Sequence, residues 1–302
     1  MDKSKTITAK LGIDVGGTDV KFAVIDNNAI VYRSKIPANK ESVDAILNEI
    51  CDECKKIAKE YPYSSVGVGV PGIVYDGLLT TINLPFKNTP VAKEMEARIG
   101  MPVAVDNDAN CAALGEVLGG GGKEYRNAVL ITLGTGVGGG VIANGEILRG
   151  RGCAGELGHI IIQSENGRKC TCGQTGCLEQ YASAKALVRQ ATEAAGEHPD
   201  SMLAQLYREN DELNGKLFFD ALHKNCPVAE AVFDKYLDWL CVGIKSFQMI
   251  FDPEVILLAG GITKQGDNFL KPLKAKLSEG INVKIATLQN DAGVFGAANL
   301  SM

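Results

Sequence analysis

The chain has no apolar run long enough to cross a bilayer, and its opening residues, MDKSKTITAK, hold no apolar segment of the kind that directs secretion. Both absences predict a cytoplasmic protein. Basic charge is not in excess either: 31 Lys and Arg stand against 36 Asp and Glu, a formal net charge of −5, so the electrostatic footprint of a nucleic-acid binder is missing. No Walker A sequence is present, because Gly122-Lys123 is followed by Glu124 and no glycine stands at the required upstream position. Low-complexity segments are absent. The nine cysteines are an odd number in a chain without a secretory start, which argues against a disulfide framework and for reduced thiols.

What is present suits two α/β domains in 302 residues. Residues 9–15 and 20–25 read as strands around the glycine turn Gly16-Gly17-Thr18, and a third strand, 29–36, follows the Asn27-Asn28 turn. An amphipathic helix over 41–60 carries Val43, Ile46, Leu47, Ile50, Cys54, Ile57 and Ala58 on one face. Cys51 and Cys54 form a CxxC in mid-helix, where the spacing reads as incidental rather than redox-active. A strand over 65–70 ends at Pro71-Gly72, and another over 103–105 leads into a helix starting near Asp108-Ala109. Gly119–Gly122 read as a flexible break before strand 128–133, a glycine turn over 134–138, a return strand 139–143 and an Asn144-Gly145 hairpin turn. An offset of 117 superimposes Gly17 on Gly134, Thr18 on Thr135, Val20 on Val137, Val24 on Val141 and Asn27 on Asn144. The repeated strand, glycine turn, strand and Asn turn suggests two lobes on a common plan. Helices follow over about 180–196, 202–209, 215–224 and 228–251, then strand 255–259, helix 268–279, strand 283–286 and a last helix near 294–300. The expected lobes are residues 1–118 and 119–289, with a C-terminal helix over about 290–302 that is free to return to the first.

Several motifs are chemically suggestive. In Asp14-Val15-Gly16-Gly17-Thr18 the glycines would leave backbone N–H groups bare for phosphate oxygens, Asp14 could hold Mg²⁺, Thr18 adds a hydroxyl, and Lys21 on the return strand could face phosphate or solvent. An ordinary hairpin with an acid before it would look the same. Gly134-Thr135-Gly136-Val137-Gly138-Gly139-Gly140 contains a formal GxGxxG, but a strand and an Asn-Gly turn follow where a dinucleotide fingerprint needs a helix. A phosphate-gripping glycine hairpin fits better. Asn107-Asp108-Ala109-Asn110 stands at a strand's C-terminal end, where α/β sheets collect ligand contacts, and equally where an Asn or Asp caps a helix. Gly260-Gly261, together with Gly293–Ala298, could let a flat ring lie against backbone.

The richest stretch runs from Glu156 to Glu179. Cys170, Cys172 and Cys177 lie within eight residues, with His159, one of only three histidines, just upstream. Thiolates and imidazole are the ligands Zn²⁺ prefers, and four of them close a structural site. Three buried reduced thiols are the alternative. His159 can ligate through one ring nitrogen and donate with the other. Glu156 and Glu179 bracket the group without being needed by a structural zinc, and paired acceptors of this kind suit a sugar. His198 and His223 read as surface residues.

Taken together, DVGGT at 14–18, NDAN at 107–110, GTGVGGG at 134–140, ELGH at 156–159 and CTCGQTGCLE at 170–179 resemble, in order and over nearly the whole chain, the ROK family of sugar kinases within the actin-like ATPase superfamily. The resemblance implies an α/β, two-lobed actin-like ATPase (ribonuclease H-like) fold with ATP and sugar in the cleft between the lobes. It implies Asp108 as catalytic base, and Asn107, Glu156, His159 and Glu179 as sugar contacts, with Asn83 in NLPF a further one. Zinc falls to His159, Cys170, Cys172 and Cys177. The phosphate turns are Gly16, Gly17 and Thr18, and Gly134, Thr135, Gly136 and Gly138, with Asp14 and Lys21 beside the first. Gly260 and Gly261 match the adenosine region. The implied reaction is ATP- and Mg²⁺-dependent phosphorylation of a hexose in carbohydrate metabolism, glucose at its 6-hydroxyl first, N-acetylmannosamine or another hexose second, by a homodimer. Family members that are transcriptional repressors carry a helix-turn-helix ahead of the kinase-like fold; DVGGT at residue 14 and the negative charge disfavour that reading, as both phosphate turns and Asp108 disfavour a zinc scaffold without catalysis.

Overall fold

The computed structural model describes residues 7–301. Along the chain the elements are β1 (Lys10–Val15), β2 (Asp19–Asp26), β3 (Ala29–Pro37), α1 (Val43–Glu60), β4 (Val66–Val70), β5 (Ile73–Tyr75), β6 (Leu78–Thr80), α2 (Val91–Ile99), β7 (Val103–Asn107), α3 (Asp108–Gly119), β8 (Ala128–Leu133), β9 (Val137–Ala143), β10 (Glu146–Ile147), α4 (Glu179–Ala182), α5 (Ala184–Glu197), α6 (Met202–Asn210), α7 (Gly215–His223), α8 (Pro227–Phe251), β11 (Val255–Gly260), α9 (Asp267–Ala275), β12 (Val283–Ile285) and α10 (Ala292–Ala298). Among the described residues no helix is long and apolar enough to cross a membrane.

Two five-stranded sheets share one order. The first runs β3-β2-β1-β4-β7 and the second β10-β9-β8-β11-β12. In the first, β2 lies antiparallel to β1 and β3, while β4 and β7 continue parallel. The offset of 117 carries β1, β2 and β3 onto β8, β9 and β10, so the sequence repeat is a repeat of sheet topology. Its Asn turns are equivalent too: Asn27, Asn28, Asn144 and Gly145 all have positive φ, the conformation that lets a tight hairpin follow the strand twist.

The chain divides into two compact units. Unit 1 comprises residues 7–128, Gly140–Gly155 and 286–301, and unit 2 comprises Val129–Gly139 and Glu156–Ile285. The expected boundary at residues 118/119 therefore differs from the observed one. Gly119–Gly122 is a fastened turn rather than a flexible break. Glu116, fully buried on α3, accepts hydrogen bonds from Gly121 N–H at 2.8 Å, Thr287 N–H at 3.0 Å and Leu288 N–H at 2.7 Å, and its own carbonyl takes the N–H of Gly120 and Gly122. Segment Gly140–Gly155 stays with unit 1 because Gly140 lies against the Ala109 carbonyl and the Ala113 side chain on α3, and Arg149 pairs with buried Asp106.

Other departures are local. The β5–β6 hairpin and α2 go unread in the sequence. The helix expected over 180–196 is interrupted at Ser183, whose extended backbone and side-chain oxygen cap α5 through Ala186 N–H. In α1, Ser42 caps the N-terminus through Ala45 N–H, and Ile46, Leu47, Ile50, Cys51, Cys54 and Ile57 are buried. Burial pushes the Cys54 thiol well up, so this CxxC is core packing.

Unit 1 is completed by α10, which lies directly on β1, β4 and α3. A Cβ on Gly12 would overlap the Val294 carbonyl, one on Gly67 the Ala297 carbonyl, and one on Gly296 the Cys111 carbonyl. The small residues at 293–298 are thus used in helix packing, where Val294, Phe295, Gly296, Ala297 and Ala298 are buried, and not as an open shelf for a ring. Gly67→Ala is expected to unseat α10 and cost about 1–3 kcal/mol or more, as overpacking does. Gly196→Ala, in α5 with open space around its Cβ position, should gain up to about 1 kcal/mol from helix propensity. Urea midpoints followed by circular dichroism check both signs; an unchanged midpoint for Gly67→Ala would contradict this packing.

Candidate active site and metal centre

In unit 1, β1 delivers Asp14 beside the first glycine turn. Asp14 is opposite Lys21 across the β1–β2 ladder, and Lys21 Nζ stands 3.1 Å from Asp14 Oδ2. Lys21 is therefore paired with a carboxylate, with its side chain 44% exposed. Gly293 of α10 abuts the same carboxylate. Within the turn, Gly16 N–H donates to Asp19 C=O at 2.9 Å and Thr18 C=O accepts from Ala38 N–H at 2.8 Å, so the Gly16 amide is not bare as expected. Gly17 faces open space, and Gly17 and Thr18 are exposed.

The Asn107-Asp108 corner joins β7 to α3. Asn107 is the helix cap: its Oδ1 accepts from Ala109 N–H at 2.8 Å and Asn110 N–H at 3.2 Å, while its Nδ2 donates to Gly72 C=O at 3.0 Å. Asp108, the first residue of the helix, accepts from Ala109 N–H at 2.9 Å. Beneath both lies Asp106, with a side chain only 4% exposed. It takes the N–H of Asn107 at 2.7 Å, Asn110 Nδ2 at 2.8 Å and Arg149 Nε at 2.6 Å. A buried carboxylate with a cation and two further donors is a rigid anchor. Asp106 and Arg149 are absent from the sequence-based set; the acid directly before NDAN was the available signal, but its partner is 43 residues away. Asn83 lies exposed in the loop after β6, between the exposed Ile82 and buried Leu84.

In unit 2 the second glycine turn follows β8. It is shorter than expected, because β9 begins at Val137 and Gly138 is a strand residue. Gly134 N–H donates to Gly136 C=O at 3.0 Å, and Gly134 C=O accepts from Ala184 N–H at 2.8 Å. Thr135 is exposed at the tip. Gly260, at the end of β11, adopts φ +104° with Leu133 C=O where a Cβ would be, and Gly261 faces open space. Two of the motifs assigned to nucleotide thus meet at neighbouring strand ends, the position α/β sheets use for ligands.

The Glu156–Glu179 stretch folds back on itself through bridges between Ile161 and Cys177 and between Lys169 and Thr175. This gathers one ligand atom from each of His159, Cys170, Cys172 and Cys177 within 4.8 Å of one another. Cys170 Sγ is 3.6 Å from His159 Nδ1, and Cys172 Sγ is 3.6 Å from Cys177 Sγ. A tetrahedron with Zn–S bonds of ~2.3 Å has edges of about 3.8 Å, so the donor set and spacing fit zinc. The Gln174 backbone N–H holds the Cys172 thiol below its ordinary value, whereas burial pushes Cys177 up to about 12. A metal must displace that proton, which makes affinity fall as pH falls. A second layer escaped the sequence reading: Gln180 Nε2 donates to Cys170 Sγ at 3.7 Å, and Arg189 donates to both the Oε1 and the backbone carbonyl of Gln180.

The two glutamates differ. Glu156, half-exposed, has Oε2 3.8 Å from His159 Nε2, the nitrogen turned away from the thiols. Glu179 is committed on one side: its Oε2 accepts from Val137 N–H at 3.1 Å, and its Oε1 lies 3.8 Å from Cys170 Sγ. His198 and His223 are exposed, as expected.

The sequence pattern of the ROK family matches residues 10–302. A glucokinase of Halalkalibacterium halodurans is 40% identical over 95% of this chain and 92% of its own length. An N-acetyl-D-glucosamine kinase of Escherichia fergusonii is 31% identical over 83% of this chain and 84% of its own. A ROK family glucokinase from Streptomyces griseus, solved in complex with glucose and AMPPNP, superimposes with a TM-score of 0.80 at 33% identity, covering 97% of this chain and 99% of that one. Its fold, its ordered motifs and its full-length likeness to these kinases together make this chain a member of the ROK family of sugar kinases, with the actin-like ATPase fold.

Proposed function

We propose that the chain transfers the γ-phosphoryl group of ATP to the 6-hydroxyl of glucose. The observation that carries the choice of glucose is the full-length likeness to a glucokinase at 40% identity, supported by the fold match to a glucokinase solved with glucose and AMPPNP. Asp108 is the base. It heads α3 on a corner made rigid by the Asn107 cap and the Asp106–Arg149 pair, so its carboxylate is held for the hydroxyl it must orient. Asp108 would orient the hydroxyl and accept its proton late, as bond formation to phosphorus advances. Asn107, Asn83, Glu156, the Nε2 side of His159 and the Oε1 side of Glu179 would hold the sugar hydroxyls.

The turns at Gly16–Thr18 and Gly134–Gly136, with Gly138 just beyond the second, would receive the phosphates, and Gly260-Gly261 the adenosine. Mg²⁺, held through water by Asp14, would neutralise phosphate charge. Zinc on His159, Cys170, Cys172 and Cys177 would be structural, since all four positions are filled by protein. A homodimer in the cytoplasm is the expected form, and the exposed Val242, Met249 and Ile250 of α8 offer an apolar face for self-association.

An ADP-release assay over hexoses and N-acetylhexosamines should give glucose the largest kcat/KM, by about tenfold or more. Preference for an N-acetylhexosamine would reject the glucose assignment and retain the kinase. Asp108→Asn should lower kcat by about 10²–10⁴-fold with little change in the KM for glucose; near-normal turnover in folded protein would remove Asp108 from the chemistry. Metal analysis should find about one zinc per chain, lost in Cys172→Ser, whose exposed side chain leaves the core intact. Retained stoichiometric zinc in that variant would refute the ligand set.

A further inference from the structure

Glu179 stands between the metal ligands and the glycine turn and touches both. Its Oε2 accepts the Val137 N–H at 3.1 Å, and Oε1 is 3.8 Å from Cys170 Sγ. Gly136 is shaped to admit it, because a Cβ there would overlap Glu179 Oε2. The same segment grips the turn from the other end, through Ala184 N–H to Gly134 C=O at 2.8 Å. Gly158, one residue before His159, packs against the Val137 carbonyl with no room for a Cβ. The turn is thus clamped at Gly134, Gly136 and Val137 by residues that flank the ligands His159 and Cys177.

The geometry points to Glu179 as a positioning residue that couples metal occupancy to the conformation of the Gly134–Val137 turn, and through it to nucleotide affinity. The nucleotide half rests on the reading of this turn as a phosphate loop. A carboxylate accepting a backbone N–H forms a charge-assisted bond, stronger than a neutral one, and its position depends on α4 being anchored two residues after Cys177. Without metal, Cys170 and Cys177 lose their common centre. The start of α4 then loses its fixed point, and Val137 N–H loses its acceptor. Metal loss would be felt at the phosphates as well as at the sugar.

The test compares wild type, Glu179→Gln and Glu179→Ala, each zinc-loaded and after chelation, with thermal unfolding run alongside to confirm folded protein. Two readouts are taken: amide hydrogen exchange over residues 134–138 by mass spectrometry, and AMPPNP affinity by calorimetry without sugar. Glutamine keeps an oxygen that can accept the Val137 N–H, so Glu179→Gln should retain protection. Glu179→Ala and zinc-free wild type should exchange about tenfold or more faster at this turn and lose AMPPNP affinity by about tenfold. Equal exchange in zinc-loaded and zinc-free wild type, or in the Ala and Gln variants, would overturn the coupling. Altered exchange with unchanged AMPPNP affinity would instead overturn the phosphate reading of the turn, and with it the nucleotide half.

Discussion

A helix backbone can lie directly on a sheet only where the sheet offers no side chain to hold it away. Gly12 on β1 and Gly67 on β4 create that condition, and Gly115 and Gly296 create it between α3 and α10. The consequence is that α10, at the far end of the chain, closes unit 1 against its first strand. The neighbouring features depend on this seating. Gly293 brings the start of α10 against the carboxylate of Asp14, and Glu116 on α3 ties the approach to α10 through Thr287 and Leu288. The α3 helix that carries Asp108 at its first residue is therefore gripped along its length by α10 and braced at its C-terminal end.

Three acidic residues next to the motifs act by accepting backbone amides. Asp106 takes the N–H of Asn107, Glu116 takes those of Gly121, Thr287 and Leu288, and Glu179 takes that of Val137. Donors from fixed backbone compensate an anion removed from water without side-chain freedom being lost on both sides. In each case the carboxylate fastens a turn, at Asn107, at Gly119–Gly122 and at Gly134–Val137.

The candidate metal ligands His159, Cys170, Cys172 and Cys177 belong to the same scheme. Twenty-two to forty residues separate Val137 from these ligands in the sequence, but the ribbon from Ile160 to Leu178 folds back so that α4 starts beside the turn. Glu179 accepts the Val137 N–H with one oxygen and lies near Cys170 Sγ with the other, which makes it unlike Glu156, whose carboxylate is half-exposed beside His159.

Much of this was legible in the sequence, because it is local. The period-2 strands about Gly16-Gly17 and Gly134, the apolar face of α1, the Asn turns, the NDAN corner and the Cys-His cluster each depend on residues close in the chain, and the 117-residue repeat carried the duplicated sheet order. What the sequence could not settle were pairings across long separations: Asp106 with Arg149, Glu116 with Thr287, Glu179 with Val137, and α10 on Gly12 and Gly67. Periodicity and turn chemistry report only on neighbours, and a carboxylate reads the same whether it will meet a sugar, a metal ion or a backbone amide. The sequence determined the elements and the inventory of reactive groups; the tertiary structure alone decided that several of those groups serve as anchors, because only packing brings an acceptor to a distant donor and removes both from water.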